Sequence, residues 1–456
     1  MKQILIIFMI LFVTFNIPIM VHAESDQETY QQIDKYMKSE LNKAHIPGMA
    51  ITIVNKEEVL FSNTYGNCNS LDTPFIIGSM SKSFTAAAIM QLVEQGEINL
   101  DDHVSKYLPE VSVGERITVR QLLNQTSGLA TYQTRNDLKI TDAYGTHMYA
   151  NVNYNLLGEI IAAVSGISYE EYIKENIYVP LGMKNSYTSI EEGRDNDLIT
   201  GYRNYFGFLI PQEVAFPDGH GWTSVSGGYL ISSASDMGKY LQMYLNNGDG
   251  IISAGSINTV FYDNVYDAPS SSYYGMGWNL NNNNKEPVLG HSGLVENYMS
   301  YMFILPQSDI GVVMLVNTND YFVSNNMMST IGESIISIFM GEEPIELSGM
   351  NYVISHLLID IAYLVVFLVS ILPLVFIKRW FSKAKRKKKS NVMLTGSILH
   401  LVFPTLLLLL PAFIGVPFFV VRGFVPDLFI TLIVSALLSY AVGIVKIILI
   451  WKSHII

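Results

Sequence analysis

Hydrophobic and polar positions along this chain follow three distinct rhythms. In the first 350 residues short apolar runs alternate with amphipathic ones. Met49-Ala-Ile-Thr-Ile-Val54 and Val59-Leu-Phe-Ser-Asn-Thr-Tyr65 flank a polar turn and predict a β-hairpin. A second hairpin is predicted from Tyr298–Leu305 and Ile310–Asn317 around Pro306-Gln-Ser-Asp309. Helical periodicity marks residues 27–44, an alanine-rich stretch that begins near Ser79 and stops at Gly96, Val119–Leu123, Tyr154–Val164 and Ser324–Met340. Strands at both ends with helices between them predict one α+β domain whose sheet joins early and late segments. No internal repeat or low-complexity segment interrupts it, and Asn281–Asn284 reads as a polar loop tip.

From Tyr352 the rhythm is lost and apolar residues dominate. Stretches near 352–377, 393–421 and 425–450 are each long enough to cross about 30 Å of hydrocarbon. Lys378–Lys389, between the first two, holds eight basic residues, and a short turn around Arg422–Asp427 joins the second to the third. The basic loop is expected to be cytoplasmic and the short turn outside. This topology accounts for the basic run without nucleic acid, which is excluded as a partner. The N-terminus adds Met1-Lys2, an apolar run to Met20 and Val21-His-Ala23, read as a secretory signal (residues 1–23); an uncleaved anchor is the alternative. The expected organisation is therefore a signal at 1–23, an extracytoplasmic domain at 24–349 and a multi-pass cell-membrane region at 350–456, with the basic loop at 378–390. His356 and Asp360 are expected at the outer interface, and Lys446 is expected to snorkel at the inner one. None of the three is given a role.

Charge divides at the same boundary. Residues 24–347 hold 38 acidic and 16 basic side chains, and residues from 348 onward hold 2 and 11. So acidic a domain would attract cationic ligands, although solubility at a crowded surface explains it more simply. The single cysteine, Cys68, excludes an intrachain disulfide, and the scattered histidines show no metal spacing, so neither metal nor cofactor is expected.

Chemistry concentrates at Gly78-Ser-Met-Ser-Lys-Ser-Phe84. Ser79 and Lys82 stand three residues apart where a helix opens, which puts both on one face. A hydroxyl becomes nucleophilic when a neighbour accepts its proton, and Ser-x-x-Lys supplies that neighbour without histidine. The pattern recurs at Ser382-Lys-Ala-Lys385, inside the basic run, where no site is expected. Tyr149-Ala-Asn151 adds a phenol able to move protons and an amide able to hold a peptide group. Its setting before Asn155-Leu-Leu-Gly distinguishes it from the Tyr-x-Asn copies at Tyr202, Tyr244 and Tyr262. His291-Ser292-Gly293, just before the second hairpin, is expected on an edge strand facing the serine. The backbone N–H groups of Ser79 and Leu294 would then form an oxyanion hole.

The order Ser-x-x-Lys, Tyr-x-Asn, His-Ser-Gly resembles the class C β-lactamase and serine D,D-peptidase (penicillin-binding-protein-like) family, which also holds esterases and D-amino-acid peptidases. Supporting matches are Leu122-Leu-Asn-Gln-Thr-Ser-Gly-Leu129, Tyr178-Val-Pro-Leu-Gly-Met183, Ser226-Gly-Gly-Tyr-Leu-Ile-Ser-Ser-Ala-Ser-Asp236, Tyr274-Gly-Met-Gly-Trp278 and Gly290-His-Ser-Gly293. The resemblance covers residues 29–340 and leaves the membrane region outside it. It implies a β-lactamase/transpeptidase-like fold, an antiparallel sheet with a helical subdomain. Ser79 would be the acylated nucleophile, with Lys82 and Tyr149 sharing the base and acid roles in an order left open. Asn151 would orient the substrate amide, and His291, Ser292 and Gly293 would bind substrate. Many members carry lysine where this chain has His291, which shifts the expectation from a β-lactamase toward a peptidase or esterase.

The function expected is thus a membrane-anchored extracytoplasmic serine hydrolase acting on D-amino-acid peptides or related amides and esters. Small peptide or peptidoglycan-like substrates come ahead of a secreted prodrug capped by a D-amino acid. A penicillin-binding sensor without turnover is the rival; it would need a partner, since only a short loop and tail lie inside. Membrane lipid is an expected partner, and the three spans offer a surface for a membrane protein.

Overall fold

The computed structural model describes residues 17–214, 221–282, 284–386 and 389–452. Residues 1–16 of the expected signal thus lie outside the described residues; from Ile17 the backbone is helical in α1 (Ile17–Lys43). Ile33, Met37, Leu41 and Ala44 recur at helical spacing on α1 and are buried. The first hairpin follows as β1 (Gly48–Val54) and β2 (Val59–Gly66). Next come β3 (Phe75–Ile76), α2 (Ser81–Glu94) and α3 (Asn151–Ser165). Strands β4 (Tyr202–Tyr205), β5 (Phe208–Pro211) and β6 (Ile231–Ser232) precede α4 (Ala234–Leu245). Strands β7 (Val265–Asp267), β8 (Ser272–Gly275), β9 (Trp278–Asn281), β10 (Val288–Val295), β11 (Tyr298–Leu305) and β12 (Ile310–Val316) form a meander. The short β13 (Thr318–Asn319) and α5 (Ser324–Phe339) end the domain.

The principal sheet is antiparallel, in the order β2-β1-β12-β11-β10-β9-β8-β7. Its centre is made where the two ends of the domain meet: Met49 faces Val316 and Val54 faces Gly311. Both strands are buried along their whole length, which is why they read as nearly continuous apolar runs. Alternation sends Met49, Ile51 and Ile53 toward α1 and α5, while Ala50 and Val54 join the core beneath α2, α3 and α4. Helices on both faces thus sandwich the sheet.

Among the described residues three helices are long and apolar enough to cross a membrane: Tyr352–Val375, Asn391–Phe413 and Pro426–Lys452. The first lies in α6 (Gly349–Val375), the second ends in α7 (Phe403–Phe413), and the third is α9 (Pro426–Lys452). The second stretch stops short of residue 421. Gly415 takes φ 75° and Pro417 follows, so the chain turns and starts a separate helix, α8 (Phe418–Phe424). α8 lies against the α+β domain, with Trp222 5.8 Å from Phe419 and 6.2 Å from Phe424 between ring centroids.

Two expectations about polar groups here need correction. Lys446 does not snorkel: it is buried, with Nζ 2.7 Å from His400 Nε2 and 4.8 Å from the centre of the Trp380 ring. His356 is not merely interfacial, because its Nε2 pairs with Asp320 Oδ2 at 2.8 Å, and Asn204 Nδ2 donates to Tyr352 Oη at 3.2 Å. These bonds fasten the first turns of α6 to the α+β domain.

Candidate active site

Ser79 sits in a tight turn, Gly78–Met80, immediately before α2. Several bonds fix that turn. Ile77 N–H donates to Leu230 O at 2.9 Å, Ser81 Oγ donates to Gly78 O at 2.7 Å, and Ser300 Oγ donates to Ile77 O at 2.7 Å. Gly78 is required on two grounds: its φ is 55°, and a Cβ there would lie 2.5 Å from Leu294 N. The amide of Leu294 therefore sits beside the serine turn. Strand β10 is interior to the sheet, contrary to the edge position expected, but β9 covers it only from Val288 to Gly290. Beyond Gly290 that side is open toward Ser79, and the local edge carries His291, Ser292 and Gly293.

Lys82 is completely buried, whereas Ser79 is partly exposed. Lys82 Nζ has three close oxygen neighbours: Ser79 Oγ at 3.1 Å, Asn151 Oδ1 at 2.7 Å and Gly227 O at 2.5 Å. Burial holds the Lys82 amine well below its ordinary range. A neutral amine has two N–H bonds and one lone pair. Asn151 Oδ1 and the Gly227 carbonyl can only accept, so they take both N–H bonds. In the neutral form of the amine the lone pair then faces Ser79, whose hydroxyl can donate.

Tyr149 stands over the same amine, its ring centre 4.8 Å from Lys82 Nζ. Burial raises its phenol well above the ordinary range, Tyr274 adds to that effect, and interaction with Ser79 opposes it. His291 Nε2 lies 3.4 Å from Tyr274 Oη, and His291 Nδ1 is 2.6 Å from the Ser292 carbonyl. A carbonyl demands a donor, so the proton is assigned to Nδ1. Burial above all pushes His291 down to about 3, so the ring is neutral near pH 7. The structure thus brings Ser79, Lys82, Tyr149, Asn151 and His291 into one cluster, with Leu294 N beside it. Ser382, in the chance second copy of the motif, donates to Lys378 O on an exposed helix.

Three contributors escaped the sequence reading. Tyr274 ties the cluster together, with its ring 5.9 Å from both Tyr149 and His291. It lies within Tyr274–Trp278, a segment noted above only as a family match. Gly227 acts through its carbonyl, which no side-chain pattern reports. Gln125 is fully buried with φ 58°, and its Oε1 accepts from Ala150 N at 3.0 Å and Asn153 Nδ2 at 2.5 Å. It therefore locks the start of α3, which carries Asn151 and follows Tyr149.

A serine held by a buried lysine beside a tyrosine, at the edge of an antiparallel sheet, defines a serine-hydrolase-type site of the β-lactamase and penicillin-binding-protein class. The Beta-lactamase family profile matches residues 31–330, and the chain belongs to that family. Protein flp of Staphylococcus aureus strain N315 is 30% identical over 327 residues, 65% of this chain; the chain spans 64% of that relative's length. A penicillin-binding protein homologue from Pyrococcus abyssi, described as octameric, superposes with a TM-score of 0.61 at 32% identity, covering 69% of this chain and 78% of its own. A class C beta-lactamase, at 21% identity and a TM-score of 0.59 over 68% of this chain and 96% of its own, shares the fold.

Proposed function

We propose that this protein is a membrane-anchored, extracytoplasmic serine hydrolase that acts through a Ser79 acyl-enzyme on D-amino-acid-containing peptides or related amides and esters. The observation that carries the reading is the hydrogen-bond pattern around Lys82, which leaves the amine lone pair for Ser79. Lys82 takes the hydroxyl proton as Oγ attacks the carbonyl carbon. The N–H groups of Ser79 and Leu294 receive the oxyanion. Tyr149 hands a proton to the departing group and is reprotonated from the adjacent Lys82 ammonium, which restores both groups; Lys82 then takes a proton from a water molecule as it attacks the acyl carbon, and Ser79 Oγ leaves with a proton from Tyr149, releasing the acid. Asn151 spends Oδ1 on Lys82, so its amide nitrogen is the part left for substrate. His291, held neutral, offers a polar contact in place of a fixed cation. That favours peptides, amides or esters that do not depend on a terminal carboxylate. The three apolar helices and the basic loop support the anchoring and the outward orientation.

The test is intact-mass analysis of the full-length protein with a penicillin and with an activated ester. Ser79→Ala is expected to abolish the adduct with unchanged thermal unfolding, and Lys82→Ala to slow acylation by about 10²–10⁴-fold. Acylation that persists in the Ser79→Ala protein would refute the assignment.

A further inference from the structure

Beneath the junction of the two regions, a cavity of about 310 Å³ opens between α6 and α9. Leu364 and Phe367 of α6 face Ile430 and Val434 of α9 across it, and Phe206 of the α+β domain packs edge to face against Tyr363 of α6 at 6.0 Å. Two polar side chains, Asp360 and Thr431, also line it. Asp360 Oδ1 is enclosed and has no hydrogen-bond partner. A carboxylate oxygen shut away from water is costly without a donor, and the protein groups lining the cavity supply none to Asp360 Oδ1.

Depth and charge identify the donor that fits. His356 is bonded to Asp320 of the α+β domain, so the aqueous side reaches at least to His356. Asp360 lies one helical turn further, about 6 Å along the axis. Around it Leu357, Leu358, Ile361, Leu364 and Val365 are exposed, as lipid-facing residues are. Asp360 therefore sits at head-group depth, with an apolar trough running inward below it. Asp320, Asp427 and Asp360 crowd this end with His356, an arrangement that attracts a cation and disfavours a head group of net negative charge. We propose that the cavity is a binding site for a membrane lipid with an ammonium head group: the ammonium donates to Asp360 Oδ1 and one acyl chain fills the trough between Leu364, Phe367 and Val434. Phe206 belongs to the turn between β4 and β5, so the bound lipid also holds the α+β domain against the bilayer.

This inference rests on the membrane placement of α6 and α9 and is independent of the hydrolase chemistry. The full-length protein, extracted in detergent, is incubated with equal amounts of phosphatidylethanolamine and phosphatidylglycerol of matched acyl chains, and retained lipid is read by native mass spectrometry. The wild type should retain the ethanolamine lipid about tenfold better, as expected of a charge-assisted hydrogen bond. Asp360→Asn should bring the two lipids to near parity, and Val434→Trp should exclude both. Equal retention of the two lipids by the wild type, no retention, or a preference unchanged in Asp360→Asn would each overturn the site. Partition of the same sample into the aqueous phase of a detergent separation would instead remove the membrane placement, and the site with it.

Discussion

His291 offers a sharp test, because its burial predicts a definite dependence of stability on pH. In the folded protein its pKa is about 3, against an ordinary value of 6.5. Above pH 6.5 the ring is neutral in both folded and unfolded chains and adds no pH dependence. As the pH falls from 6.5 toward 3 the unfolded chain binds a proton that the folded chain refuses, and stability is lost. At 1.36 kcal/mol per pKa unit, the difference of about 3.5 units amounts to about 4–5 kcal/mol across that window. Carboxylates titrate at its acid end, so the informative quantity is the difference between wild type and His291→Gln. Unfolding of the full-length protein in detergent, followed by urea titration at steps between pH 7 and 4, should give curves that diverge by about 1.4 kcal/mol per pH unit, the variant losing less. The acid limb of the activity profile should keep its midpoint in His291→Gln, since a ring that stays neutral down to about pH 3 does not set it. Parallel stability curves would show that His291 is charged in the fold or ionises freely, and the argument for an uncharged substrate contact would fail.

Two further outcomes follow from the packing. Gly293→Ala places a Cβ against the backbone oxygen of Ile77 and against Ser300 Oγ, pushing β10 away from the serine turn; acylation by an activated ester should fall at least about tenfold, together with a clear loss of melting temperature, because backbone must give way. Asp320→Ala removes the partner of a buried His356 together with bonds to Ser324 and Asn204, and should cost about 3 kcal/mol, seen as a lower unfolding midpoint and faster proteolysis between residues 340 and 352.

Much of the site was legible because its chemistry is local. Ser79 and Lys82 lie three residues apart on one helical face, and that face forms wherever the helix forms. Tyr149 and Asn151 stand directly before a helical pattern, and Gly293 follows a polar His-Ser pair, so setting and order announced what residue type alone did not. The rest was not legible because it is made by distant backbone. The Gly227 carbonyl is 145 positions from Lys82 in sequence, and nothing in a glycine tells which atom its oxygen will meet. The break at Gly415–Pro417 was likewise written in residue types, yet apolarity on both sides masked it, and the second apolar stretch looked longer than its helix.

The sequence by itself determined the α+β alternation, the three apolar helices and the pairing of Ser79 with Lys82, because each rests on periodicity or spacing within a few residues. Tertiary structure alone decided the protonation of the site. Burial of Lys82 and His291, reached only when β10, α2 and the Gly227 segment close together, removes water from both groups and disfavours their charged forms. It also decided that His356, Asn204 and Asp320, spread over more than 150 residues, meet at the junction, since a folded chain sets contact by packing and not by separation along the sequence.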